Sequence, residues 1–415
     1  MFLRLYKTLS VVLSLPLFLY FIIRLLTSKE KTNSLLEKFT IKQKQRPDGK
    51  IIWINGVSVG EAKTGIIIAE QIKKNYPKTT ILLSTSTLTA HQLISKMGKN
   101  LILIYSPLDI SFIVKRFLKH WKPESTIFIE SEIWPNIFSS LKNNSIKLTL
   151  VNARISKRSY LNWKILNHSS RKLFELIDEC FVQDHQSAER FKELGVKKIK
   201  KIGNLKFLSE KLHYDHYDYK KLRKQLRNKR VVTMFSTHEG DEEIFINCHR
   251  ILSKKIKNLF FIIIPRHIHR ISKIKNNLIK KKMSYLIRTQ DRLIVKNQNF
   301  LIVDTFGELG LYFKLSEIAV VGGSFSNIGG HNPIETFDFN CSVVFGPDME
   351  NFKDVKNKIL ENKAGFEVKD SNQLINRLYQ NLTNKNINNQ ATKNFKKLCK
   401  VEYQESKLIL KSLVK

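Results

Sequence analysis

Two doubly wound parallel α/β domains in tandem are the architecture this sequence predicts, and three observations carry the prediction. Short apolar runs alternate with helix-period segments over most of the chain, the alternation falls into two series, and a polar stretch separates them. In the first series Ile51–Ile54, Thr80–Leu83, Leu101–Tyr105, Thr126–Ile129, Lys147–Val151, Glu179–Val182 and Ile199–Ile202 read as strands. The second series is Arg230–Met234, Leu259–Ile264, Phe300–Val303, Ile318–Val321 and Ser342–Phe345. Helices between successive strands imply crossover connections, hence parallel sheets covered by helices. A length of 415 residues is comfortable for two such domains. The expected boundaries are 1–30 for an N-terminal segment, 31–207 for the first domain, 208–229 for a linker and 230–415 for the second domain. The linker rests on Leu208 to Lys229, which is rich in Lys, Tyr, His and Asp without a sustained apolar period. Asn381 to Asn394, rich in Asn and Lys, reads as solvated surface. Ligands in such folds bind beyond the carboxyl ends of the strands, so a cleft between the two sheets is the expected site.

Residues Thr8 to Ile23 carry no charge and are flanked by Arg4 and Lys7 before and by Arg24, Lys29 and Lys31 after. This predicts an N-terminal membrane-anchor helix. The run is short against the roughly 20 residues that span a bilayer, and Pro16 can kink it, so spanning and interfacial helices both fit. Leu25-Leu26-Thr27-Ser28-Lys29 lacks the small-x-small site of a cleaved signal peptide. The basic excess downstream predicts a cytoplasmic body. A net charge of +36 suits an anionic membrane surface, a phosphorylated substrate or nucleic acid, and it also follows from Lys being abundant throughout. Cys180, Cys248, Cys341 and Cys399 have no metal-ligand spacing and read as reduced, cytosolic, structural residues.

The loops after the strands carry the chemistry. Asn55-Gly56-Val57-Ser58-Val59-Gly60-Glu61 follows the first strand and leads into a helix, placing Glu61 in the first turn as a candidate proton acceptor. The same residues contain G-x-S-x-G, the pattern of a hydrolase nucleophile elbow centred on Ser58. Glu130-Ser131-Glu132-Ile133-Trp134-Pro135-Asn136 ends the fourth strand. On an extended segment Glu130 and Glu132 point the same way, giving two carboxylates on one wall. Asn152-Ala153-Arg154 and Gly203-Asn204-Leu205-Lys206-Phe207 end two further strands with a cation each.

In the second half Ser236-Thr237-His238-Glu239-Gly240 follows a strand, with Ser236 or Thr237 expected to cap a helix opened by acids. Pro265-Arg266-His267 supplies a guanidinium suited to a phosphate. Asp304-Thr305-Phe306-Gly307-Glu308-Leu309 ends the third strand of this series. The stretch from Val320 through Gly322-Gly323, Gly329-Gly330-His331-Asn332-Pro333-Ile334-Glu335 reads as strand, Gly-rich loop and helix N-terminus, with Asn332 as N-cap and Pro333 at the first helical position. Such a loop can hold an anion.

In this order the motifs resemble the 3-deoxy-D-manno-octulosonic acid (Kdo) transferases that decorate lipid A, from the N-terminal anchor to about Asn357. The resemblance implies a GT-B glycosyltransferase that is metal-independent, inverting and free of cofactors. It implies CMP-Kdo as donor, a lipid A precursor (lipid IVA) as acceptor, and a place at the cytoplasmic face of the inner membrane against its phospholipid surface. By resemblance Glu61 is the general base, Glu130 and Lys206 support the transition state, and Pro265, Arg266, Phe306, Gly307, Glu308, Asn332, Pro333, Ile334 and Glu335 bind CMP. Ser58, Glu132, Arg154, Ser236, Thr237, His238, Glu239, Gly329, Gly330 and His331 complete the expected cleft. Phe306 stands where the family usually has Met, and Asp348 where a His often sits. Two other classes compete: a serine hydrolase built on Ser58, and a non-catalytic basic protein binding membrane or nucleic acid. The chain has no RNP, zinc or helix-turn-helix pattern, so no nucleic-acid partner is expected.

Overall fold

Ile, Val, Leu and Phe dominate the strand runs, most runs are followed by a helix that carries the chain back, and every described strand pair is parallel. The computed structural model describes residues 2–97, 100–201, 203–208, 212–291 and 298–413. It divides into two units, Met1–Ser209 with Glu402–Lys415, and Glu210–Val401.

The first unit contains β1 (Ile51–Asn55), β2 (Thr80–Thr85), β3 (Ile102–Tyr105), β4 (Ser125–Ile129), β5 (Lys147–Ala153), β6 (Glu179–Val182) and β7 (Ile199–Lys201). Their order in the sheet is β3-β2-β1-β4-β5-β6-β7. The order reverses between β1 and β4, whose carboxyl ends carry Asn55 and Glu130. Trp53, Phe117, Phe128 and Phe138 fill one face, and Ile54, Ile68, Ile81 and Leu83 the other. The second unit contains β8 (Arg230–Thr237), β9 (Leu259–Pro265), β10 (Tyr285–Ile287), β11 (Phe300–Ile302), β12 (Ile318–Val321), β13 (Ser342–Phe345) and β14 (Phe366–Glu367). Here the order is β10-β11-β9-β8-β12-β13-β14, reversing between β8 and β12. Both reversals are the switch points at which open α/β sheets bind ligands. All four cysteines are free and buried.

Several expectations are corrected. β10 and β14, unforeseen in the sequence, have 3 and 2 residues and form the two edges of the second sheet, too short to show a period. The expected linker contains the helix His216–Gln225, capped by Asp215 and packed on Leu309–Leu315 through a single buried residue, Leu222. One buried position in ten leaves no apolar stripe to read. The Asn-rich stretch is helical and partly internal: Asn381 Nδ2 donates to Ser342 Oγ at 3.1 Å, and Asn388 Nδ2 to the Glu317 carbonyl at 3.1 Å. The last helix, Lys385–Leu413, belongs with the first unit from Glu402 onward, where Ser406 Oγ donates to the Asn204 carbonyl at 3.4 Å.

The N-terminal segment is two helices, α1 (Phe2–Val12) and α2 (Ser14–Leu26), bent by 49°. Among the described residues no single helix is long and apolar enough to cross a membrane. Leu3 packs on the first core, and Leu17, Phe18 and Phe21 pack on Leu35, Phe39, Ile110 and Ile113. A third helix, α3 (Thr32–Lys38), follows.

Two glycines make contrasting tests of packing. A Cβ on Gly322 would sit 2.5 Å from the Phe235 and Ser236 carbonyl oxygens, which are backbone and cannot yield. Gly322→Ala is expected to cost roughly 1–3 kcal/mol or more in urea melts. Gly60 meets nothing within 4 Å in the first turn of a helix. Gly60→Ala should leave stability unchanged or raise it by about 0.4–1 kcal/mol.

Candidate active site

At the first switch point β1 gives way to Gly56, where a Cβ would fall 2.9 Å from Ala62 N and the Glu61 carbonyl carbon. Glycine therefore lets the next helix, α4 (Val59–Asn75), begin directly against the strand end. Ser58 and Glu61 form a capping box. Glu61 Oε2 accepts from Val57 N at 2.7 Å and Ser58 N at 3.3 Å, and Ser58 Oγ donates to Oε1 at 3.0 Å. Both partners of the serine hydroxyl lie on Glu61, which makes Ser58 a helix cap instead of a nucleophile aligned with an imidazole.

Glu61 is 8% exposed, and burial first, then the Glu130 charge, raises its carboxyl above the usual range. Burial followed by the Glu61 charge pushes Glu132 up to about 7, against the opposing hydrogen bond from Trp134 Nε1 at 2.8 Å. Burial and neighbouring carboxylate charge thus raise the proton affinities of Glu61 and Glu132 in a poorly solvated corner. The reason they converge differs from the expected strand alternation. Glu130 leaves β4 with φ +62°, so a turn brings 130 and 132 round toward Glu61. Ser131 Oγ donates to the Arg154 carbonyl, tying this turn to the end of β5. Asn152, at φ +56°, accepts from Leu205 N through Oδ1 at 2.9 Å, which seats the 3-10 turn Leu205–Leu208. The Lys206 side chain lies outside the described set.

At the second switch point Asp241 joins the two loops. Its Oδ2 accepts from His238 N at 2.8 Å and Gly323 N at 2.7 Å, and burial pushes its carboxyl up to about 6. Asp241 was absent from the expected set; its signal was an acid just past Gly240. His238 Nε2 lies 2.9 Å from His331 Nε2 with the rings parallel within 3°. Burial, then Arg266, pushes His331 down to about 3, and burial, then His267, lowers His238. The pair is neutral at pH 7 and lies beside an exposed Arg266, whose guanidinium is the cationic group of this cluster suited to an anion. Gly329 (φ +89°) and Gly330 (φ +69°) turn the loop, and Gly329 N donates to Asp348 Oδ2 at 2.7 Å.

Three expectations here need correction. The helix after β8 is Asp241–Leu252 with Gly240 at its N-cap, because Ser236 (φ +55°) is still in the strand and Thr237 Oγ1 donates to Glu242 Oε1 at 2.9 Å. Glu239 is drawn to Arg270 at 3.3 Å, where Glu242 also pairs with the guanidinium at 3.0 Å. Pro333 opens only a 3-10 turn, Pro333–Thr336, so the loop lacks a helix dipole; Asn332 does cap it, accepting from Ile334 N at 3.1 Å. Glu335 lies in that turn. Glu308 is fixed by Arg288 at 2.9 Å and Tyr312 OH at 3.2 Å, next to Gly307 (φ +85°) and a 77% exposed Phe306. A cavity of about 360 Å3 opens beside it, floored by Leu222, Leu286 and Leu301.

Two parallel α/β units, each with a polar cluster at its switch point, form a fold shared with solved structures. The fold resembles Anabaena HepE in complex with UDP (TM-score 0.60, 12% identity, 88% of this chain and 99% of that one). It also resembles the Neisseria meningitidis UDP-GlcNAc 2-epimerase bound to UDP-GlcNAc (TM-score 0.58, 13% identity, 88% and 100%). Residues 33–209 match the family described as 3-Deoxy-D-manno-octulosonic-acid transferase (kdotransferase). The Rickettsia bellii 3-deoxy-D-manno-octulosonic acid transferase is 35% identical over 90% of this chain and 90% of its own, and the Haemophilus influenzae one 30% identical over 81% and 80%. The chain belongs to the Kdo transferase family and is a glycosyltransferase.

Ser58→Ala should cost about 1 kcal/mol through the lost cap. The Ser58 hydrogen bonds hold the Glu61 carboxyl down against burial and Glu130. Without the hydroxyl the carboxyl ionises at higher pH, so the acid limb of the rate profile moves up. An unmoved limb would show that Ser58 does not tune Glu61.

Proposed function

We propose that this glycosyltransferase moves Kdo from CMP-Kdo to a lipid A precursor, lipid IVA, in lipopolysaccharide biosynthesis, without metal or cofactor. The observation that carries the reading is Glu61, a buried carboxylate at a switch point whose proton affinity is raised toward neutrality by its surroundings. A general base works best when its pKa approaches the operating pH. Kdo transferase relatives across most of the chain support the donor sugar.

In the proposed step Glu61 takes the proton of an acceptor hydroxyl, whose oxygen bonds to the anomeric carbon of Kdo with inversion. The bond from that carbon to the CMP phosphate breaks, and its electron pair leaves on the phosphate. Positive charge developing on the sugar is stabilised by the Glu130 carboxylate, with Lys206 in support. Arg266 pairs with the phosphate, while Pro265, Phe306, Gly307, Glu308 and Asn332 through Glu335 hold CMP. The neutral His238–His331 pair borders the same anion beside Arg266, while Gly329 N and Gly330 N hold the loop through Asp348 Oδ2 and the Gly323 carbonyl.

The decisive assay gives detergent-solubilised full chain freshly generated CMP-Kdo and lipid IVA in the presence of EDTA. Wild type should form product whose mass counts the sugars, and Glu61→Gln should lose about 10²–10⁴-fold in kcat while still binding CMP. Retained turnover in Glu61→Gln with loss in Ser58→Ala would instead favour the hydrolase reading.

The same reading places the chain at the cytoplasmic face of the inner membrane. Support comes from the bent helix pair, which leaves Leu13, Leu15, Leu19, Ile23 and Leu26 exposed beside Arg24 and Lys29. An apolar face bordered by cations suits interfacial insertion. Leu15→Glu with Leu19→Glu should lower binding to phosphatidylglycerol-containing vesicles by about tenfold or more, measured by sedimentation.

A further inference from the structure

We propose that α1 is a working part of the acceptor site: its Tyr6 and Ser10 hydroxyls position the carboxylate loop 130–134 through Asp109 and Asn136. The inference rests on the proposed roles of Glu61 and Glu130.

The loop is anchored at two ends. Upstream it leaves β4, and downstream it enters the helix Pro135–Asn143, whose N-cap residue Trp134 makes no side-chain cap. First-turn donors of that helix need partners from elsewhere. Asp109, in the loop after β3, supplies them: Asn136 N donates to Oδ2 at 3.2 Å and Ile137 N to Oδ1 at 2.7 Å. Asn136 returns the contact, its Nδ2 donating to the Asp109 carbonyl at 2.6 Å. Both side chains are buried, Asp109 at 7% and Asn136 at 5% exposure.

Helix α1 completes this arrangement. Tyr6 OH donates to Asp109 Oδ2 at 3.0 Å, and Ser10 Oγ accepts from Asn136 Nδ2 at 2.9 Å. Positions 6 and 10 are one turn apart and share a face. A helix that served only as a tether would need apolar contact alone on its inner face. Here two hydroxyls meet Asp109, which caps the helix leading out of the carboxylate loop, and Asn136 in that helix's first turn. Trp134, between that cap and Glu132, carries the constraint onward through its indole hydrogen bond. Seating of α1 and order in the Glu130–Trp134 loop therefore belong to one network.

The test uses full-length Tyr6→Phe/Ser10→Ala, which removes both hydroxyls and keeps the apolar contacts, in the lipid IVA assay with detergent. Expected are a fall of about tenfold in kcat/KM for the acceptor, mainly through KM, with CMP affinity and vesicle binding as in wild type. Amide exchange across 130–137 should rise. Ser10→Ala alone should move both readouts in the same direction, and Ser10→Thr, which keeps the hydroxyl, should restore them. Unchanged exchange and unchanged acceptor KM overturn the proposal, as does a loss that follows vesicle release. A wild type without turnover would end the functional reading, while the exchange comparison would still decide whether α1 orders the loop.

Discussion

Close approach of backbone to backbone at the two switch points is the constraint on which the rest depends. Gly56 lets α4 start against the end of β1, and that placement turns the first-turn Glu61 into a buried group. Gly322 does the same between β12 and the end of β8, bringing Gly323 N within 2.7 Å of Asp241. Any side chain at either position would push helix or strand outward. The polar groups would then be rehydrated, and burial is the first cause of the shifted proton affinities of Glu61, Glu132, Asp241 and His331.

The two clusters have opposite electrical characters. Around Glu61 three carboxylates crowd together, so the first unit favours taking up protons and stabilising cationic character. Around His331 the imidazoles are held neutral beside Arg266, Arg270 and His267, so the second unit favours an anion. Asp241 adds order to the second cluster by accepting from two backbone N–H groups, His238 N and Gly323 N.

Much of this was legible in the sequence. Twelve of the strands stand out as apolar runs because buried parallel strands have no polar face to dilute the signal. The motif loops were readable for a related reason: each is a short interruption between a strand and a helix. What escaped depended on distance or on local dihedrals. Glu130 and Glu132 were paired by strand alternation, but a left-handed residue at 130 is what aims them. Asn388 looked like solvated low-complexity sequence because its partners, Ser342 and Glu317, are 46 and 71 residues away. Ser10 was hidden in the uncharged run and Tyr6 in its basic flank between Arg4 and Lys7, and nothing near them predicts Asp109 or Asn136.

The buried cysteines give the chain built-in reporters of its own unfolding. Cys180 sits in the core of the first unit, while Cys248, Cys341 and Cys399 belong to the second, and burial keeps the thiols of Cys180, Cys248 and Cys341 protonated. A thiolate-selective reagent therefore meets almost nothing reactive in the native chain. Labelling at a given residue becomes a record of which unit opened, and its rate separates local breathing of one sheet from collapse of the other.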